Sequence, residues 1–243
     1  MLKSPPPIEI LFEDEFIIGI SKPAMVLSQP SFDKNRKPIK DLLEEQRPDL
    51  KNRLYLHHRL DFETSGVFLI SKSPKANAPL TEMFQNHEFE KTYLCLTRPN
   101  PLQAGKKVSC EVLPPTEESA HESWIIKNYM APAKGMTKHK KRMISVKSGG
   151  WSAETKFKIL KTTTLFHFVE AQPKTGRTHQ IRQHLQESYR SILGDNIYGG
   201  KSSDVPRLML HAASLKFPHP ITKDVIKIEA ALPQDFQSCL SKV

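Results

Sequence analysis

Four polar or charged residues, His57, His58, Arg59 and Asp61, stand directly before the turn-forming run Glu63-Thr64-Ser65-Gly66, which opens into the apolar Val67-Phe68-Leu69-Ile70. That order describes a loop carrying chemistry, pinned by a buried strand. Arg59 and Asp61 are two positions apart and face the same way if the backbone is extended. From these residues alone, two readings stand side by side: a catalytic carboxylate with its counter-ion, and a surface ion pair ahead of a strand. Asp61 with Glu63 also forms a pair of carboxylates of the kind that hydrolyses glycosides, but Glu63 lies in the turn, out of step with Asp61.

The elements that must position this loop are legible on both sides of it. Ile8, Ile10 and Phe12 alternate with polar residues, a turn follows at Glu13-Asp14-Glu15, and Phe16 to Ile20 makes a second strand that delivers Lys22-Pro23. Ile39 to Gln46 is a short helix stopped before Pro48. After the strand Val67 to Ile70, Ser73 and Pro74 start a helix running to His87, with Leu80, Met83 and Phe84 at core spacing. Glu90 to Leu96 alternates as a strand with Tyr93 and Cys95 on one face.

Pro99 to Gly150 is punctuated by proline and glycine, and reads as a loop-rich stretch bearing Lys134, Lys138, Lys140, Lys141, Arg142 and Lys147. It is either a solvated charged loop or an arm for phosphates, where each basic contact adds salt-dependent affinity. Trp151 to Lys161 and Leu165 to Ala171 are strands. Thr178 to about Ser188 reads as a helix on which Thr178, His179 and Arg182 share a face. Leu208 to Phe217 and Val225 to Ala231 close the chain as strands, and no internal repeat is visible.

Composition narrows the partner. The 36 bases against 26 acids give a net charge of +10, and the pI is about 9.4. A polyanion suits that balance better than a neutral sugar. Nucleic acid is preferred to a membrane, because no basic amphipathic or long apolar stretch accompanies the charge. The three cysteines, Cys95, Cys110 and Cys239, lack any CxxC pairing, which fits a reducing cytoplasm rather than a disulfide or zinc framework. His179 and His184 lie five apart without the HExxH frame, so no metal site is expected. The N-terminus lacks the apolar core of a signal peptide, and Ser4 to Pro7 is an extended proline-rich lead.

HRLD at 58–61 followed by TSG at 64–66 resembles the catalytic signature of the RluA-type RNA pseudouridine synthases. Lys22-Pro23, Lys91-Thr92-Tyr93, the run Thr175 to Arg182, Leu193-Gly194-Asp195 with Tyr198-Gly199, and Leu210-His211-Ala212 follow in the family's order, covering nearly the whole chain. At the first of these the family usually reads Asn-Lys-Pro, then glycine and a histidine. Ser21, Met25 and Gln29 stand there instead, and the loop is assigned no role.

The resemblance implies isomerisation of uridine to pseudouridine: breaking the C1′–N1 bond, turning the uracil, and joining its C5 to C1′. Nothing is exchanged with a third molecule, so no cofactor is expected. It implies that Asp61 is the catalytic carboxylate, that Arg182 keeps it ionised, and that Tyr93 stacks on the uracil. Arg59 matches the arginine that fills the space of the flipped nucleotide. Arg177, His179 and Lys140, Lys141 and Arg142 are candidate RNA contacts; His58 is either a phosphate contact or a structural hydrogen-bonding residue, and Leu210 either an apolar floor under the base or a core leucine. The fold implied is α+β: a single catalytic domain over 8–243, built on a large mixed, mostly antiparallel sheet flanked by helices, with no separate N-terminal RNA-binding domain. Ribosomal or transfer RNA is the expected partner of a monomeric cytoplasmic enzyme. The competing expectation is an RNA-binding or remodelling protein whose centre is idle; binding alone needs neither an acid nor a buried counter-ion.

Overall fold

The computed structural model describes residues 7–31, 36–102, 109–113, 122–133, 142–199 and 202–241. Their elements are, in order, β1 (Glu9–Glu13), β2 (Ile17–Lys22), α1 (Ile39–Gln46), β3 (Tyr55–Leu56), β4 (Ser65–Ser71), α2 (Pro74–Gln85), β5 (Glu90–Thr97), β6 (Ser109–Leu113), β7 (Ser123–Pro132) and β8 (Met143–Val146). These are followed by β9 (Trp151–Thr162), β10 (His167–Pro173), α3 (Gln180–Glu187), β11 (Leu210–Pro218), β12 (Val225–Glu229) and α4 (Gln234–Leu240). The fold is α+β, with mixed and mostly antiparallel strand pairing. Two compact units divide it: Met1–Lys91 with His211–Pro233, and Thr92–Leu210 with Gln234–Val243.

In the first unit β2 runs antiparallel to both β1 and β4, while β11 joins β4 in parallel and β12 in antiparallel pairing. All seven residues of β4 are buried, as expected for an apolar run covered on both faces. Leu80 and Met83 of α2 pack with Ile17, Val67, Leu69 and Phe217 into one core, and Phe84 leans on it. Each such side chain withdrawn from water stabilises the unit by about 1.5–3 kcal/mol. The rings of Phe84 and Phe89 stack at 3.9 Å between centroids, and Phe89 leans on Phe217 at 5.0 Å.

In the second unit β5, β10, β9, β7 and β6 pair antiparallel in that order, with β8 on the far side of part of β7. The segment 99–150 therefore differs from the loop-rich expectation: it carries β6, β7 and β8. Trp124, Ile126, Asn128 and Met130 alternate inward along β7. That period of two is present in the sequence, but the surrounding prolines, glycines and lysines mask it.

Candidate active site

Asp61 opens a tight turn closed by the Thr64 N–H donating to the Asp61 carbonyl at 3.1 Å. The next residues begin β4 and are locked to β11 at its parallel register, where Ser65 faces His211 and Gly66 faces Ala212. Gly66 sits at φ +112°, and a Cβ there would overlap the Ala212 carbonyl, so both conformation and space demand glycine. His211 donates from Nε2 to the Ala230 carbonyl at 3.1 Å, which leaves Nδ1 to accept the Ser65 hydroxyl at 2.9 Å.

Upstream of Asp61, His58 is not presented to solvent as a cation. Its Nε2 accepts the Leu69 N–H at 3.0 Å, and its ring lies 4.8 Å from Phe84 in a stack. Burial, reinforced by the positive charge of Lys91, pushes its pKa down to about 3. His57 spans Thr81 and Ser71 with its two nitrogens, and burial lowers it to about 4. The pair fastens the loop to α2 and β4. Arg59, between them and Asp61, is exposed.

Arg182 lies on α3, which begins at Gln180 rather than Thr178. His179 takes a left-handed conformation with φ 56° and precedes the first turn, so His179 and Thr178 do not share a helical face with Arg182. The cause is the Gln180 side chain, whose Oε1 accepts the Thr175 hydroxyl and the Arg177 N–H and thus folds the approach into a turn. Residues Gln180 to Leu185 are all buried, although four of the six are polar or charged. Each polar group is matched. Gln180 donates to Thr155 and to the Glu154 carbonyl, Gln183 donates to Ser145 at 2.5 Å, and Asn128 donates to Gln183. His184 accepts the Thr155 hydroxyl at Nδ1 and donates from Nε2 to Asn128, so it is neutral, and burial lowers its pKa to about 3.

Arg182 is 3% exposed, and its guanidinium meets Asp195, which is fully buried, by two parallel bonds: Nε to Oδ2 at 2.8 Å and Nη2 to Oδ1 at 2.9 Å. Oδ1 also accepts the N–H groups of Ile197 and Tyr198. Gly194 at φ +80° lets the chain pass under the Arg207 carbonyl to bring Asp195 there. The Tyr198 ring carries Arg182 and Arg142, each with its guanidinium carbon 5.3 Å from the centroid. Its hydroxyl accepts the Met143 N–H, donates to the Met143 carbonyl, and stands 3.2 Å from His179 Nδ1. Burial pushes that hydroxyl up to about 12, so it stays protonated.

Among the expected site residues, the structure thus gathers Arg182, His179 and Arg142 around Tyr198. Tyr93 lies on β5 opposite Ala171 of β10 and is half-buried. Arg177 is tied through Nε to the Ser152 carbonyl at 3.0 Å. Leu210 is buried at the start of β11. Lys140 and Lys141 lie outside the described residues. Asp195 and Tyr198 hold Arg182 here although the sequence alone gives them no role. The available signal was their place in the Leu193-Gly194-Asp195 and Tyr198-Gly199 frame. Among the described residues, no three histidines, cysteines or acids gather as metal ligands, and no helix is long and apolar enough to cross a membrane.

Comparisons with known proteins agree with this architecture. The chain is 32% identical to ribosomal large subunit pseudouridine synthase C of Escherichia coli K12, over 96% of its own length and 69% of that protein's. It is 30% identical to tRNA pseudouridine synthase C of Vibrio cholerae, over 97% of this chain and 95% of that one. Among solved structures, human RNA pseudouridylate synthase domain containing 1 superposes with a TM-score of 0.70 at 20% identity, covering 96% of this chain and 87% of that one. The human domain containing 4 does so with 0.66 at 23%, covering 96% and 91%. With residues 17–187 matching the RNA pseudouridylate synthase family model, the chain belongs to the RNA pseudouridine synthases, enzymes that isomerise uridine in RNA to pseudouridine.

Proposed function

We propose that this enzyme modifies uridines of ribosomal or transfer RNA, with Asp61 as the carboxylate that acts on the ribose of a flipped-out nucleotide. The observation that carries the reading is the turn itself: Asp61 stands at the head of a loop held by hydrogen bonds on both flanks and locked to a parallel strand pair. The names of the relatives supply the two RNA classes.

Two routes are open to the carboxylate. It attacks C1′ as a nucleophile, or it removes the 2′ proton to give a glycal. Both need an ionised acid in a place from which water is excluded, and Arg182 is the cation assigned to keep it so. Tyr93 stacks on the detached uracil and assists loss of the C5 proton. Arg59 enters the space the base leaves. Extrusion costs a few kcal/mol, which contacts along the RNA offset.

The test is tritium release from RNA labelled at uridine C5, since forming the C5–C1′ bond expels that hydrogen. Asp61→Ala abolishes release and keeps most RNA binding; normal turnover in this variant overturns the assignment. Arg182→Met loses nearly as much, and Tyr93→Phe binds RNA but turns over slowly. An idle RNA binder releases no tritium from any RNA. Mapping pseudouridine across total RNA with and without the gene identifies the target and decides between the two classes.

A further inference from the structure

We propose that Ser28 is a positioning residue for Asp61, the central member of a clamp formed by the loop Pro23 to Ser28. This rests on the catalytic reading of Asp61. The Ser28 hydroxyl accepts the Leu60 N–H at 3.0 Å and donates to the Leu60 carbonyl at 2.7 Å. One side-chain oxygen thereby takes up both backbone groups of the residue preceding Asp61, as a neighbouring strand would. On the other side, the Met25 N–H donates to the Phe62 carbonyl at 2.8 Å. The residues on either side of Asp61 are therefore both bound to a single short segment, and the carbonyl of Asp61 itself is taken by Thr64.

The clamp is itself anchored. The fully buried Lys22 donates from Nζ to the carbonyls of Pro23 and Val26 at 2.8 and 2.9 Å, folding the loop around its own ammonium. The Leu27 carbonyl accepts the Ile39 N–H at the start of α1 at 2.7 Å. Met25 holds φ 64° and is 54% exposed. A left-handed conformation in a residue that buries so little costs of order 1 kcal/mol. The same residue supplies the N–H that holds the Phe62 carbonyl. These contacts fix the Cα–Cβ direction of Asp61 before substrate arrives. A reacting carboxylate gains from such pre-orientation, because displacement by about 1 Å can cost on the order of a hundredfold in rate.

The experiment compares wild type, Ser28→Ala, Ser28→Thr and Asp61→Ala on bulk RNA tritiated at uridine C5 from cells lacking the gene. Activity is normalised to folded protein by circular dichroism and thermal unfolding. Ser28→Ala is expected to lower kcat about tenfold or more per folded molecule, with KM within about twofold. Ser28→Thr, which restores the hydroxyl, is expected to recover most of that loss. Wild-type kcat in Ser28→Ala alongside an inactive Asp61→Ala overturns the positioning role alone. So does a lowered kcat that Ser28→Thr leaves uncorrected while melting like wild type. Normal turnover in Asp61→Ala overturns the catalytic reading beneath it.

Discussion

Removing the Asp195 carboxylate tests the account of how Arg182 is held. In Asp195→Ala the guanidinium of the buried Arg182 loses two charge-assisted bonds. Taking one carboxylate partner from a buried charge costs up to about 3–5 kcal/mol. The N–H groups of Ile197 and Tyr198 lose their shared acceptor as well, adding roughly 1 kcal/mol each at most. For a chain of this length about 2–4 °C of melting temperature accompanies each kcal/mol, so the variant should melt roughly 10–20 °C below wild type. Arg182→Met strands the opposite charge and should cost a comparable amount. The informative measurement is the double variant, Arg182→Met with Asp195→Ala. With both members of the pair gone, their mutual attraction is lost once rather than twice, and the double variant should lose clearly less than the sum of the two single losses. Urea unfolding of the four proteins without RNA gives the cycle. If the two single losses add within about 0.5 kcal/mol in the double variant, the pair is not coupled and the reasoning fails.

Gly66→Ala should fail to accumulate as folded protein, or melt far below wild type, because the new methyl meets the Ala212 carbonyl; a normal melting curve would refute the tight β4–β11 approach. His58 and His184 titrate near 6.5 when unfolded and are pushed down to about 3 by burial. Between those values the unfolded chain binds protons that the folded chain does not, so stability falls with pH. The loss is about 2 kcal/mol per histidine from pH 6.5 to 5, read from urea midpoints at each pH. Tyr198→Phe removes the hydroxyl that engages both backbone groups of Met143 and should lower unfolding free energy by about 1–3 kcal/mol. Replacing Lys140, Lys141 and Arg142 together should reduce the slope of log affinity for RNA against log salt by about 2–3; an unchanged slope removes that stretch from the RNA interface.

What the sequence made legible was local. β4 and α1 stand where the apolar run and the proline stop placed them, because their determinants lie within a few residues. The grip on Asp61 was not legible, since Ser28 and Leu60 are 32 residues apart and no pattern marks a serine as the partner of a distant peptide. For His58 the sequence leaves a phosphate contact and a structural hydrogen bond open, and ring orientation, with Nε2 on the Leu69 N–H, supports the second. α3 starts two residues later than the sequence pattern predicts, because helical spacing continues through His179, whereas the Gln180 side chain bends the chain before it. β7 was hidden by the prolines, glycines and lysines around it, and its inward Asn128 breaks the apolar alternation for the sake of His184 and Gln183.

The bond between Ser65 and His211 spans 146 residues. A ribosome adding on the order of 10 residues per second needs about 15 s to supply the second partner after the first. A nascent chain therefore displays its HRLD segment long before β11 can reach it, and the first unit closes only after all of Thr92–Leu210 has been made. The first unit is thus completed only once most of the second has been synthesised: a truncated translation product that stops short of His211 carries the signature aspartate without the strand that holds its turn.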